Sequence, residues 1–163
     1  FPAPRRGVII KIPIKKEEKN MSEENKARVQ RFVEELWHAK NYRIVDELCA
    51  PEFVAHDLPA GVPANREGFK KVATIIHNAF PDIRFTLEDM IAEKEKVVLR
   101  WDSTGTHKGE FMGIPVTNKK VNRSGITIYR MAGGKIVEWW NKSDLLTVMQ
   151  QLGVVPSMGK GGK

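Results

Sequence analysis

With one cysteine, Cys49, in 163 residues, the chain has no partner for an internal disulfide. A small secreted fold held together by crosslinks is therefore excluded, and a reducing, cytoplasmic setting is the expectation. Cys49 reads as a small buried residue near a helix end. No apolar run approaches the roughly 20 residues that cross a bilayer, so a membrane protein of helical type is not expected. The sequence contains no glycine-rich nucleotide-binding motif and no internal repeat. Its four histidines, His38, His56, His77 and His107, show no short ligand spacing, and no metal site is expected.

What is present fits one ordinary globular domain, 41% hydrophobic and 29% charged. The net charge of +7 sits in the tails. Residues 1–20 carry six basic side chains against Glu17 and Glu18, a net +4, and Lys160 and Lys163 add +2. That leaves about +1 for residues 21–159. Nucleic-acid binding requires a basic face on the folded part, and none is indicated.

Composition changes at Met21. Residues 1–20 read as an extension, either appended or upstream, and not as a secretory signal, because Lys11 and Pro13 interrupt a short apolar run. Val8, Ile10, Ile12 and Ile14 alternate as an edge strand would. Residues 21–153 read as the domain and residues 154–163 as a Gly/Lys tail. Ser22 is placed as the cap of a first helix whose Val29, Phe32, Val33, Leu36 and Trp37 form one apolar stripe. A short helix over Tyr42–Cys49 ends before Pro51. Asn65 caps a third helix that buries Phe69, Val72, Ala73 and Ile76, and Pro81 closes it.

Alternating strands follow. Ile83, Phe85 and Leu87 lead into a turn at Glu93–Lys96, and Val97, Leu99, Trp101 and Ser103 line one face of a long strand. Val121–Met131 and Ile136–Lys142 form a hairpin about Gly133-Gly134, and a last helix starts at Leu145. Helices first and an antiparallel sheet afterwards give an α+β chain.

Seven phrases in fixed order carry a resemblance from Ser22 to Gly153. They are Phe53-Val54-Ala55-His56-Asp57, Arg66-Glu67-Gly68-Phe69-Lys70, Ala79-Phe80-Pro81-Asp82, Gly105-Thr106-His107, the run from Gly109 to Pro115, Gly134-Lys135-Ile136-Val137-Glu138, and Gln150-Gln151-Leu152-Gly153. The chain resembles the SnoaL-like polyketide and ester cyclases of the NTF2-like superfamily. The resemblance implies a cone of three N-terminal helices against a curved, mainly antiparallel sheet, with a short C-terminal helix. It also implies aldol ring closure without metal or cofactor, through an aspartate acid/base, a histidine and an asparagine. Those three positions are held here by Asn141, Thr127 and Ala55. An amide does not exchange a proton near neutral pH, so Asn141 can orient a carbonyl but cannot act as base.

Other groups offer chemistry. His56 and Asp57 close a short strand beside a Pro/Gly-rich loop, at the expected pocket mouth, and His56 is a candidate general base. Its plainer role is a hydrogen bond at the rim, and strand alternation separates it from Asp57. His107 is a candidate ligand contact or a loop anchor. Asp144 is a candidate catalytic carboxylate or the cap of the last helix. Trp101, Tyr129 and Trp139, with Thr127 and Asn141, are candidates to line a pocket for a hydrophobic small molecule. Trp139 and Trp140 face opposite ways, one towards the cone and the other towards an interface. Arg100, Asp102 and Glu138 form either a pocket-facing polar set or a cross-strand ion-pair ladder.

Two functions remain open. One is a cofactor-independent cyclase, isomerase or hydrolase acting on a hydrophobic carbonyl compound, with His56, Asp57 and Asp144 as its titratable groups. The other is a non-catalytic ligand-binding or dimeric assembly module. A homodimer through the sheet face is expected in either case.

Overall fold

A computed structural model describes residues 16–156. The strand expected over Val8–Ile14 lies outside the described residues, as does the tail from residue 157 onward.

Helix α1 runs from Lys16 to Val33. Ser22 is therefore inside a helix and does not cap it. Lys16 to Asn20 contain neither proline nor glycine, and the straight-chain Lys and Glu side chains lose little freedom in a helix, so it propagates back across Met21. Val29, Phe32, Val33 and Leu36 are all at most 4% exposed. Burying each such side chain contributes about 1.5–3 kcal/mol. Past Val33 the chain widens into a π-helical turn, Glu34–His38, closed by the Ala39 N–H donating to the Glu34 carbonyl at 3.1 Å. Helix α2 (Arg43–Leu48) then leads into strand β1 (Cys49–Ala55). Cys49 is buried there, and burial pushes its thiol up to about 12.

Strand β1 is an edge strand, paired parallel to β5. That is why it accommodates Pro51, which has no N–H to give to a ladder. Helix α3 (Arg66–Ala79) starts at Asn65, whose side chain accepts from the Gly68 N–H at 3.0 Å. Strands β2 (Arg84–Glu93), β3 (Lys96–Thr106), β4 (Lys120–Ala132) and β5 (Lys135–Ser143) follow, all antiparallel to their sequence neighbours. The order across the sheet is β1-β5-β4-β3-β2. Gly133 and Gly134 turn β4 into β5 with φ of 54° and 75°, the conformation that a two-residue hairpin loop demands. Helix α4 (Leu145–Leu152) ends the fold.

The sheet curls over the helices, and the main core lies between them, built around Phe32, Leu36, Leu99 and Ile136. A second cluster, including Phe80, Phe111, Val148 and Leu152, joins α4 to the far end of the sheet. This is the α+β cone expected from the strand and helix order. No helix among the described residues is long and apolar enough to cross a membrane.

Candidate functional site

Strand alternation sends the odd-numbered residues of β3 and β4, and those of β5 beyond its bulge at Val137, to the concave side. Leu99 and Trp101 come from β3, Thr127 and Tyr129 from β4, and Trp139 and Asn141 from β5. Facing them are Val33 and Trp37 at the π-helical turn, with Phe69, Ala73 and Ile76 from α3. Between these walls is a cavity of about 620 Å³. Leu58, Pro59 and Val62 border its mouth on one side, and Glu110, Met112 and Gly113 on another. The size and aromatic lining are those of a small-molecule site.

Gly125 makes room for Trp101. The two residues pair across β3 and β4, and a Cβ at Gly125 would lie 2.4 Å from Cζ2 of the indole. The ring lies against the β4 backbone and its Nε1 donates to the Thr127 hydroxyl at 2.9 Å. An indole nitrogen only donates, so the single Thr127 proton is left for Asn141 Oδ1, 2.8 Å away. That bond fixes the amide orientation, with the Asn141 NH2 group as the free donor end. The Asn141 backbone N–H in turn donates to Asp57 Oδ2 at 2.8 Å. Asp57 Oδ1 accepts from Lys142 Nζ, and this contact holds the Asp57 carboxyl below the usual carboxylate range.

Of the residues singled out in the sequence, Asp57, Trp101, Thr127, Tyr129, Trp139 and Asn141 all line this cavity. Tyr129 is buried, which pushes its phenol well above the ordinary value and keeps it neutral. Three others lie elsewhere. His56 is on the outer face of the sheet, stacked on Trp140 with ring centroids 4.6 Å apart and Nε2 3.2 Å from Glu138. It cannot reach a ligand in the cone, because Phe53 and Ala55 take the inward positions of β1. His107 is fully buried and anchors a loop: its Nδ1 faces the Thr117 hydroxyl at 3.0 Å, and its backbone bonds Asn118 and Lys119. Asp144 caps α4, accepting from the Thr147 N–H at 3.0 Å and from its hydroxyl, and these bonds lower its pKa.

Arg100, Asp102 and Glu138 resolve as outer-face charges. Arg100 pairs with Asp89 at 2.6 Å, and Arg130 pairs with Glu138. Trp139 meets Phe69 edge to face inside the cone, while Trp140 is outside. Among the described residues no group of three or more His, Cys, Asp or Glu is arranged to hold a metal ion.

Arg123 was not anticipated. It lines the cavity from β4, its guanidinium carbon 5.2 Å from the Trp101 ring centroid, and burial lowers its pKa. The signal was available: Arg123 shares the parity of Thr127 and Tyr129, so placing those two inward places Arg123 inward as well.

Residues 27–152 match the family model described as SnoaL-like polyketide cyclase. Solved structures agree. AclR of Streptomyces galilaeus, a proposed hydroxylase, is 27% identical with a TM-score of 0.76, over 85% of this chain and 87% of its own. A proposed polyketide cyclase of Bacillus cereus is 32% identical with a TM-score of 0.70, over 81% and 82%. IdmH of Streptomyces antibioticus, also a proposed polyketide cyclase, is 31% identical with a TM-score of 0.68, over 80% and 99%. No curated protein matches the chain.

Proposed function

The chain belongs to the SnoaL-like polyketide cyclase family, and from that premise we propose that it is a cofactor-free enzyme acting on a hydrophobic carbonyl compound held in the cone. The observation that carries this reading is the relay from Trp101 through Thr127 to Asn141, which ends in an amide donor on an apolar cavity wall. A ligand carbonyl oxygen accepting from that NH2 group gains most when its charge grows, which is the condition for stabilising an enolate. Asp57 is the carboxylate on the same wall. In the step proposed, the α-carbon of the ligand gives its proton to Asp57. The C–H electron pair forms the enolate, whose oxygen is held by Asn141. The enolate carbon then either takes the proton back from Asp57 or attacks a second carbonyl of the same ligand, whose π pair moves onto its oxygen, and that alkoxide takes the proton from Asp57. On the family resemblance the acid/base aspartate of the usual aldol closure corresponds to Asn141, so the base assigned here is Asp57.

The test is α-hydrogen exchange of β-keto esters and simpler ketones in deuterated buffer, followed by NMR. Protein-dependent exchange is expected; Asp57→Asn should abolish it and Asn141→Asp should increase it. Binding without any exchange would favour the second reading, a non-catalytic ligand-binding module. One observation supports that alternative: both Asp57 oxygens are already engaged and its pKa is lowered, which makes it a weak base.

A homodimer through the outer sheet face belongs to the same proposal. Cross-strand register lines up Ile91, Val98, Ile128 and Trp140 in one apolar row there, with Ile91 65% exposed. A single buried cysteine supports a cytoplasmic, reducing location.

A further inference from the structure

Arg123 is a cation on the wall of a mainly apolar cavity. Among the described residues its guanidinium makes no ion pair and no hydrogen bond to a protein acceptor, and its carbon lies 5.2 Å from the centroid of the Trp101 ring. Asp57 and Glu110 also line the cavity, but neither pairs with it. Asp57 is committed to Lys142 and to the Asn141 backbone, and Glu110 is an exposed residue at the mouth. An arginine keeps its charge even where burial lowers its pKa, so this wall presents a permanent positive charge. Leaving such a charge without a carboxylate is unfavourable to the empty protein, and a fork of five N–H donors matches a carboxylate in two-point fashion. The Trp101 indole links the two polar ends of the site. Its Nε1 contacts Thr127, which orients Asn141, and its face carries Arg123.

We propose that Arg123 makes this cavity a receptor for a hydrophobic carboxylic acid in its ionised form. This rests on the small-molecule reading of the cone and narrows it: the carboxylate lies against Arg123, the apolar body lies along Trp101 and Trp139, and a carbonyl, where the ligand has one, reaches the Asn141 amide. The neutral ester of the same acid loses the charged contact and keeps only the apolar ones.

The experiment compares 2-naphthylacetate with its methyl ester on the whole chain, by titration calorimetry and by quenching of tryptophan fluorescence, since Trp37, Trp101 and Trp139 all border the cavity. The acid is expected to bind at least tenfold more tightly than the ester. Arg123→Met should remove that preference by weakening the acid alone, with the ester unchanged, and Arg123→Lys should restore part of it. The melting temperature of Arg123→Met should not fall, because the side chain removed is an unpaired charge. Equal affinity of acid and ester in the unaltered protein overturns this inference while leaving the small-molecule reading in place. So does an Arg123→Met variant that weakens both ligands equally. A large drop in melting temperature would mark Arg123 as a packing residue and overturn it as well. If neither ligand binds, the hydrophobic-pocket reading fails and this inference fails with it. Should Arg123→Met not fold, the acid-to-ester ratio of the unaltered protein decides the matter by itself.

Discussion

Thr127→Val tests the relay on which the site depends. Valine keeps the shape of threonine and removes only the hydroxyl oxygen, so packing around a residue that is 4% exposed is preserved. Two hydrogen bonds disappear. Trp101 Nε1 loses its acceptor at 2.9 Å in a buried setting, and an orphaned buried donor costs about 1–3 kcal/mol. Asn141 Oδ1 loses its donor at 2.8 Å, but Asn141 borders the cavity and water there offsets most of that loss. A net destabilisation of about 2 kcal/mol follows, which for a domain of this size lowers the melting temperature by roughly 4–8 °C. Urea unfolding should show the midpoint shifted with the slope unchanged. Thr127→Ser, which keeps the oxygen, should lie much closer to the parent. The sharper measurement is a double-mutant cycle with Trp101→Phe. Once the indole N–H is gone, Thr127→Val should cost at least about 1 kcal/mol less, because no donor is left stranded. A coupling energy near zero, or a Thr127→Val protein as stable as the parent, would refute the relay and with it the fixed orientation of the Asn141 amide.

Two further outcomes are expected. His77 is 3% exposed, hydrogen-bonded at Nδ1 to Tyr42 at 2.6 Å and at Nε2 to the Trp37 carbonyl at 3.3 Å, and burial holds its pKa below the ordinary 6.5. The unfolded chain therefore takes up that proton first, so this contribution to stability is complete above about pH 6.5 and declines as the pH falls below it. Melting curves between about pH 8 and pH 5 should show the decline, and His77→Gln should remove it. Asp57, Asp82 and Glu138, whose pKa values are lowered, contribute in a separate window that is lost only below the ordinary carboxylate range of about 4. For the outer sheet face, sedimentation should give twice the chain mass. Ile128→Lys, in the middle of the row from Ile91 to Trp140, should yield the monomer with the cavity still competent to bind ligand. A monomeric parent would refute the dimer.

Period and punctuation made most of the fold legible. The stripe from Val29 to Leu36, the Asn65 cap, the Gly133-Gly134 turn and the alternation around Trp101 are local signals, and local physics was enough to place them. The start of α1 was misread because Ser22 has the chemistry of a cap but nothing before it stops a helix; a cap residue works only where the chain also needs to turn. Trp101, Tyr129 and Trp139 are pocket candidates as strand aromatics and Thr127 and Asn141 through the family resemblance, and strand parity puts all five on the concave wall. The same rule places His56 outside the cone. Phe53 and Ala55 claim the inward positions of β1, so the histidine between that strand and the loop had to face out, where Trp140 and Glu138 meet it. His107 and Asp144 take the plainer of their two readings, a loop anchor and a helix cap: the Thr117 N–H and hydroxyl meet the His107 ring and the Thr147 N–H meets Asp144, and such partners compete with a ligand for the same lone pairs.

Arg123 was legible by parity and overlooked by composition. A charged residue on a strand is ordinarily assigned to solvent, and in this chain the charges of Arg100, Asp102 and Arg130 do point outward. Arg123 breaks the pattern at the position where the sheet wall is thinned by Gly125, so that the space under its guanidinium is filled by the Trp101 ring. The same glycine therefore seats the indole, brings Nε1 to Thr127 and gives Arg123 an aromatic face to lie on. Asn141 adds a donor to the same cavity. Its NH2 group is a donor there, and among the described residues the Arg123 guanidinium makes no ion pair. A cone that offers the Asn141 amide and the Arg123 guanidinium, with Asp57 tied to Lys142 and the Asn141 backbone, favours an occupant that brings oxygens and a negative charge of its own.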